Sequence, residues 1–245
     1  MTDRRRKLLH LSGWILAGLT LLYVLLCGGM YLLLRQSPVK VARVLDRMPV
    51  VFWIALPMPR IWTLANRGTL NPGDTAPDFD LPTVDRRSRV KLSALRGGKP
   101  VVLVFGSYTC PPFRTRMKAL LDVYERHRER ADFYFIYIQE AHATDAWPTD
   151  ENERDKVQYV MHRTEDERAQ VASVCSTKMK IPFPMLVDTM DDHTDRAYSA
   201  WPIRLYVVDP DGRITFKTEA GPFGFKPDLL EKELAGAAAP AQPPA

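Results

Sequence analysis

Cysteine is scarce in this chain: three residues among 245, Cys27, Cys110 and Cys175, the first inside an apolar segment. Three cysteines do not make the disulfide framework that staples small secreted domains, and they leave the redox compartment open. A CxxC dithiol is missing too, because Phe113 stands three residues after Cys110, so thiol chemistry there must start from one sulfur. Basic charge is absent as a surplus from most of the chain. Residues 1–70 hold ten Lys/Arg against two Asp/Glu, a balance of +8, whereas residues 71–245 hold 24 against 27, a balance of −3. The basic character belongs to the N-terminal part, so the remainder carries no nucleic-acid footprint.

Charge disappears altogether from residues 11–34. As a helix this stretch is about 36 Å long, enough to cross a hydrocarbon core of about 30 Å with some tilt. A cleaved signal peptide is the alternative, since Arg4, Arg5, Arg6 and Lys7 form a basic head. The apolar run is too long for one and lacks a small-x-small exit. Leu26 before Cys27 also argues against lipoprotein cleavage. Arg35, Lys40, Arg43 and Arg47 nearly balance the N-terminal cluster across the span. The tighter N-terminal cluster favours a single-pass protein with its N-terminus inside and its main domain extracytoplasmic.

The chain is organised around residues 101–113, VVLVFGSYTCPPF. A short run of Val, Leu and Phe bounded by Gly and Pro reads as a buried strand. Met117, Leu120, Leu121 and Tyr124 then recur at helical spacing, so Cys110 falls at a helix N-terminus with Pro111 and Pro112 in the first turn. Free amides and the dipole there favour thiolate, although two prolines remove two of the donors.

Around this centre, residues 1–10 read as a basic tail and residues 35–70 as a juxtamembrane linker. The apolar patch at residues 50–56 is too short to span and is interrupted by Pro57 and Pro59, so it reads as interfacial. Residues 90–92 form a short strand and residues 133–138 a buried one, which gives a βαβ unit. Residues 140–159 form a polar insertion whose acidic cluster, Asp150, Glu151, Glu153 and Asp155, reads as a solvated surface rather than a metal site. Thr164 and Glu167 make a capping box that opens a helix through Val171, Val174 and Cys175. Residues 185–187 are a strand, residues 203–208 and 214–217 a hairpin turned at Asp209-Pro210-Asp211-Gly212, and residues 226–234 a final helix. Residues 71–235 thus form one α/β domain, and residues 236–245 read as a low-complexity tail.

This plan resembles the thioredoxin-like fold, of the peroxiredoxin type, with a three-layer build and a mixed central sheet. GDTAPDFDLP (73–82), LSALRGGKPVVLVF (92–105) and IRLYVVDPDGRI (203–214) resemble the redoxin branch, and Pro202 stands where many such folds carry a cis-proline facing the active cysteine. GSYTCPPF (106–113) resembles the active-site motif of the iodothyronine deiodinases, with Cys110 in place of selenocysteine. IYIQEAHATDAW (136–147), HRTEDER (162–168), LVDTM (186–190) and RLYV (204–207) follow in the same order. Tyr108 stands where the family commonly has a cysteine two before the selenocysteine, so that route of regeneration is missing.

The resemblance implies a membrane-anchored oxidoreductase that removes iodide from an iodinated aromatic substrate, with no bound cofactor or metal and an external thiol reductant of the thioredoxin or glutathione kind. Cys110 is then the nucleophile. His142 clamps the phenol side of the substrate and Arg204 its carboxylate side, since a guanidinium grips a carboxylate in two places. His162 and Glu140 relay the proton, and Ser107 and Thr109 orient the sulfur. Cys175 reads as a core residue, with a resolving thiol as the alternative. A homodimer is implied by the related enzymes. Two other functions fit the residues: a one-Cys or two-Cys thiol peroxidase, with Ser107 three before Cys110 and Arg204 polarising a peroxide, and a thioredoxin-like binding module without turnover.

Overall fold

The computed structural model describes residues 3–236, so the expected low-complexity tail beyond Gly236 lies outside the described residues. Helix α1 (Asp3–Leu34) opens the chain. It takes in residues expected as a basic tail, because nothing in that stretch stops a helix. Over His10–Leu34 it is long and apolar enough to cross a membrane, and only 6% of its most apolar window is covered by the rest of the chain.

Residues 35–70, read from sequence as a linker, contain three helices: α2 (Pro38–Asp46), α3 (Val50–Ala55) and α4 (Met58–Ala65). Proline starts or separates each of them, which suits a residue that lacks an N–H. Isolated helices this short are marginal in water, so packing must hold them. Val41, Leu45, Met58, Ile61 and Trp62 supply it by joining the core cluster on one face of the central sheet.

The remaining elements are β1 (Asp80–Pro82), β2 (Arg89–Lys91), a 3-10 turn, β3 (Val101–Gly106), α5 (Pro111–His127), β4 (Asp132–Tyr137), α6 (Asp150–Arg154), α7 (Glu165–Met179), β5 (Met185–Val187), α8 (His193–Tyr198), β6 (Arg204–Val208), β7 (Ile214–Lys217) and α9 (Pro227–Gly236). Strands β1 and β2 form a separate antiparallel pair, and the central sheet runs β5-β4-β3-β6-β7. β3 is parallel to β4 and antiparallel to β6, with Phe105 opposite both Ile136 and Arg204. All six residues of β3 are buried, as expected of a strand covered on both faces. Its side chains alternate: Val102 and Val104 belong to the cluster with α5, α7 and α9, while Leu103 and Phe105 belong to the cluster with α8, α2 and α4. Three layers result, and the C-terminal end of β3 delivers Cys110 at the edge of the sheet.

Candidate active site

Cys110 is the N-cap residue of α5, with φ −85° and ψ 106°. Its amide donates to Ser107 O at 3.2 Å, and the amide of Phe113 donates back to Cys110 O at 3.1 Å. The residue is 1% exposed. Burial pushes the thiol up to about 12, and the pull of the Phe113 amide and the Arg114 guanidinium does not offset it. This corrects the expected thiolate. Pro111 and Pro112 remove the first two helical amides, and a terminal dipole is worth only about 0.3–2 kcal/mol against the cost of a buried charge.

The sulfur is nonetheless not sealed in the core. Cys110 lines a cavity of about 50 Å³ together with His142, and Trp53, Trp62, Trp147 and Trp201 form its walls. Four of the five tryptophans in the chain therefore converge on one sulfur. Trp53 stacks on Trp147 at 6.2 Å, and Trp62 lies 5.9 Å from Trp201. The Trp62 indole N–H donates to Gly221 O. The Trp201–Pro202 bond is cis and Pro202 lines the cavity, as the resemblance implied. Asp195 holds this turn by accepting from the Trp201 amide at 2.8 Å.

His142 packs against Trp147 at 4.4 Å, and its Nδ1 lies 3.1 Å from Trp147 O. A carbonyl only accepts, so Nδ1 carries the hydrogen and Nε2 keeps a lone pair. Burial lowers the imidazole to about 4, so it is neutral at pH 7.

Behind the cysteine loop lies a polar network centred on Glu140, which is 1% exposed. Its Oε2 accepts from the Thr109 amide at 3.0 Å and from the Thr109 hydroxyl, and its Oε1 accepts from the Tyr137 hydroxyl. Tyr137 in turn accepts from the Tyr108 amide at 3.0 Å. The Thr109 hydroxyl also accepts from the His142 amide at 3.1 Å, and the Ser107 hydroxyl accepts from the Ala141 amide at 3.0 Å. Ser107 and Thr109 thus tie the cysteine loop to residues 140–142; the sulfur-orienting bonds expected of them are not formed. Burial raises the Glu140 carboxyl, and these donors act against it.

His162 Nε2 lies 3.4 Å from Glu140 Oε1, without the alignment of a hydrogen bond. Burial and the Arg168 guanidinium lower it to about 4. It opens on a separate pocket with Tyr159 and Val174, so it backs the network and does not face the sulfur.

Arg204 stands elsewhere. Its guanidinium is fully buried and donates to the carbonyls of Asn66, Arg67 and Tyr198. It does not line the Cys110 cavity, so the expected grip on a carboxylate is a correction: in this structure the group clamps the end of α4. Cys175 is buried and unpaired in the same apolar cluster as Cys110. Burial raises it well above its usual value, so it has the setting of a core residue.

Sequence reasoning missed Asn152. Thr149 caps α6 and Asn152 follows three residues on, buried, donating to Thr109 O at 2.9 Å and His142 O at 3.3 Å. Arg114 bonds Asn152 Oδ1 at 2.8 Å, Tyr108 O at 2.9 Å and Asp155 at 2.7 Å. The stretch read as a solvated acidic surface therefore braces the cysteine loop. Its signal was a capping threonine ahead of the acidic run. Trp53 and Trp62 gave no signal, because nothing local shows that the segment of α3 and α4 folds over the sulfur. Among the described residues no cluster of His, Cys, Asp and Glu could hold a metal ion.

A mixed five-stranded sheet with a single cysteine on the strand-to-helix turn, opposed by a cis-proline, defines a thioredoxin-like domain carried behind an apolar N-terminal helix. Residues 54–235 match the family described as iodothyronine deiodinase, and the chain belongs to that family. It is 34% identical over 163 residues to thyroxine 5-deiodinase of Sparus aurata, covering 66% of this chain and 59% of that one. With type I iodothyronine deiodinase of Xenopus laevis it shares 36% over 143 residues, covering 57% and 54%. The chain thus spans little more than half the length of these relatives. Among solved structures it is similar to an uncharacterized conserved protein from Geobacillus kaustophilus, 16% identical, covering 71% of this chain and 88% of that one at a TM-score of 0.50, a likeness of fold alone.

Proposed function

We propose that the chain is a membrane-anchored, thiol-dependent enzyme that reductively removes iodide from an iodinated, thyronine-like aromatic. One observation carries the reading: a lone thiol and a neutral imidazole share an apolar cavity walled by four tryptophans. Indole faces suit an iodinated ring. The Trp201 indole N–H, buried and without a partner, offers a donor to a polar group on it.

In the proposed reaction the Cys110 thiol passes its proton to His142 Nε2 only as sulfur engages iodine, since burial disfavours both the thiolate and the imidazolium beforehand. The thiolate then takes iodine from the aromatic carbon, forming S–I as C–I breaks. The electron pair of that bond stays on carbon and receives the proton held by His142. Aryl iodide and thiol become arene and sulfenyl iodide with no external proton. A thiol reductant of the thioredoxin or glutathione class displaces iodide to give a mixed disulfide, and a second thiol restores Cys110. Glu140, Thr109 and Asn152 are positioning residues, with His162 behind them. An extracytoplasmic domain and homodimeric pairing are further parts of the proposal, supported by the N-terminal basic cluster and the family. Protease protection in sealed vesicles tests the first and cross-linking the second.

Iodide counted from the purified chain with an iodothyronine and dithiothreitol tests the activity, and release no greater than from Cys110→Ser refutes it. The peroxidase alternative is not favoured, since Arg204, its peroxide-polarising group, is not at the sulfur. A binding module without turnover would protect Cys110 from alkylation yet release no iodide.

A further inference from the structure

The segment that walls the cavity is also set deep beside the apolar helix. Tyr23 lies inside the span His10–Leu34, and its hydroxyl donates to Ala55 O at the end of α3 at 3.3 Å. From residue 23 to residue 34 is about 16 Å along a helix, so when α1 crosses a hydrocarbon core of about 30 Å, the end of α3 reaches roughly its middle.

The composition of α3 suits that place. Residues 48–59 carry no charge, and Val50, Val51 and Ile54 turn outward, 71%, 59% and 80% exposed. Pro49, Pro57 and Pro59 have no N–H to leave stranded. The Leu56 and Met58 amides donate to Phe52 O and Leu56 O, and the Ala55 carbonyl takes its donor from Tyr23. Lipid leaves unpaired backbone groups unsatisfied, and these prolines and bonds reduce their number. Charge returns on either side, at Arg43, Asp46 and Arg47 before the segment and Arg60 and Arg67 after it, where headgroups would meet it.

The same segment guards the sulfur. Trp53 belongs to α3, and Met58 and Trp62 to α4. The cavity they close holds about 50 Å³, whereas sites for drug-sized ligands run to about 300 Å³ or more. A wall must therefore move before an aromatic ring enters. Of the two helices, α3 has no buried residue of its own, whereas α4 buries Met58, Ile61 and Trp62.

We propose that α3 lies in the bilayer beside α1 as the lipid-facing wall of the cavity, and that the substrate reaches Cys110 sideways from the lipid by displacing it. The substrate class rests on the deiodinase reading; the membrane seat of α3 does not. The test uses the full chain, with Cys27→Ser, in phosphatidylcholine vesicles, carrying a bimane probe at Ile54→Cys or at Lys118→Cys, whose side chain is 86% exposed on α5. A spin label on the lipid acyl chain is expected to quench the probe at position 54 several-fold more than the one at 118, and aqueous acrylamide to do the reverse; Val50→Cys gives a second reading of the same helix. Equal acrylamide quenching at positions 54 and 118 overturns the membrane seat. The route is read from heavy-atom quenching of the cavity tryptophans by an iodinated thyronine. Its association rate is expected to follow the mole fraction in lipid as vesicles are added, and a rate that follows only the aqueous concentration overturns lateral entry. No quenching at any lipid content overturns the route together with the deiodinase reading, while the probe at position 54 still decides where α3 sits.

Discussion

Cys110 is a thiol at neutral pH, and its titration measures which of two opposing effects wins. Burial drives the group from 9.0 up to about 12, and three units correspond to about 4 kcal/mol against the thiolate. The helix N-terminus pulls the other way by about 0.3–2 kcal/mol, reduced further by the two prolines. At neutral pH the thiolate fraction should therefore be about a thousandfold below that of an ordinary cysteine. Alkylation by iodoacetamide, followed by mass spectrometry across pH 6 to 11 on the folded chain and again in urea, tests this. The folded protein should show a rate that climbs through pH 10 without a plateau, while the unfolded chain levels off near its ordinary value. The position of the plateau is the readout, since a buried thiol also reacts slowly for steric reasons. Because the folded value is raised, the matching stability is fully present below about pH 9 and is lost as pH rises toward 12. Cys110→Ser should lack that alkaline loss. A plateau for Cys110 below pH 9 in the folded chain would refute the argument that burial dominates.

Three further outcomes follow from the network around the cysteine loop. His162 is held neutral with its value lowered to about 4, so its contribution is present above about pH 6.5 and lost as pH falls to 4, up to about 3 kcal/mol; the urea midpoint of His162→Gln should vary less over that window than the wild type's. Thr109→Val strands Glu140 Oε2 and the His142 amide of a hydroxyl partner, which should cost about 2–3 kcal/mol, while Thr109→Ser restores most of it. Arg204→Met frees the carbonyls of Asn66 and Arg67 and should speed tryptic cleavage after Arg67 several-fold; a raised KM with unchanged cleavage would instead return Arg204 to the substrate.

Much of the architecture was legible because it depends on local pattern. The β3 run, the helix after Cys110, the Thr164 cap and the Asp209–Gly212 turn each carry their own signal, and each forms, although Glu167 reaches back to the Arg163 amide and not to that of Thr164. α2, α3 and α4 were not legible, since six to nine residues broken by proline carry little helical signal of their own; α2 and α4 are held by packing on the sheet, whereas α3 buries none of its residues. For the same reason the site was read in part. Cys110 and His142 do share one cavity, but the state of the sulfur was misjudged because sequence shows a helix terminus and not the four tryptophans that dry it. Arg204 was misplaced because the sequence does not tell which groups meet a strand residue on its face of the sheet. Here they are the buried carbonyls of Asn66 and Tyr198, which lie far away in the chain or around a turn.

In the proposed reaction an aromatic C–I bond becomes C–H at the Cys110 sulfur. Wild-type chain, an iodothyronine and dithiothreitol in D₂O should yield iodide and deiodinated product in equal amounts, with one deuterium at the former iodine position, and Cys110→Ser should lower both by about a thousandfold or more. Iodide without the matching deuterated product, or equal yields from the variant, would contradict it.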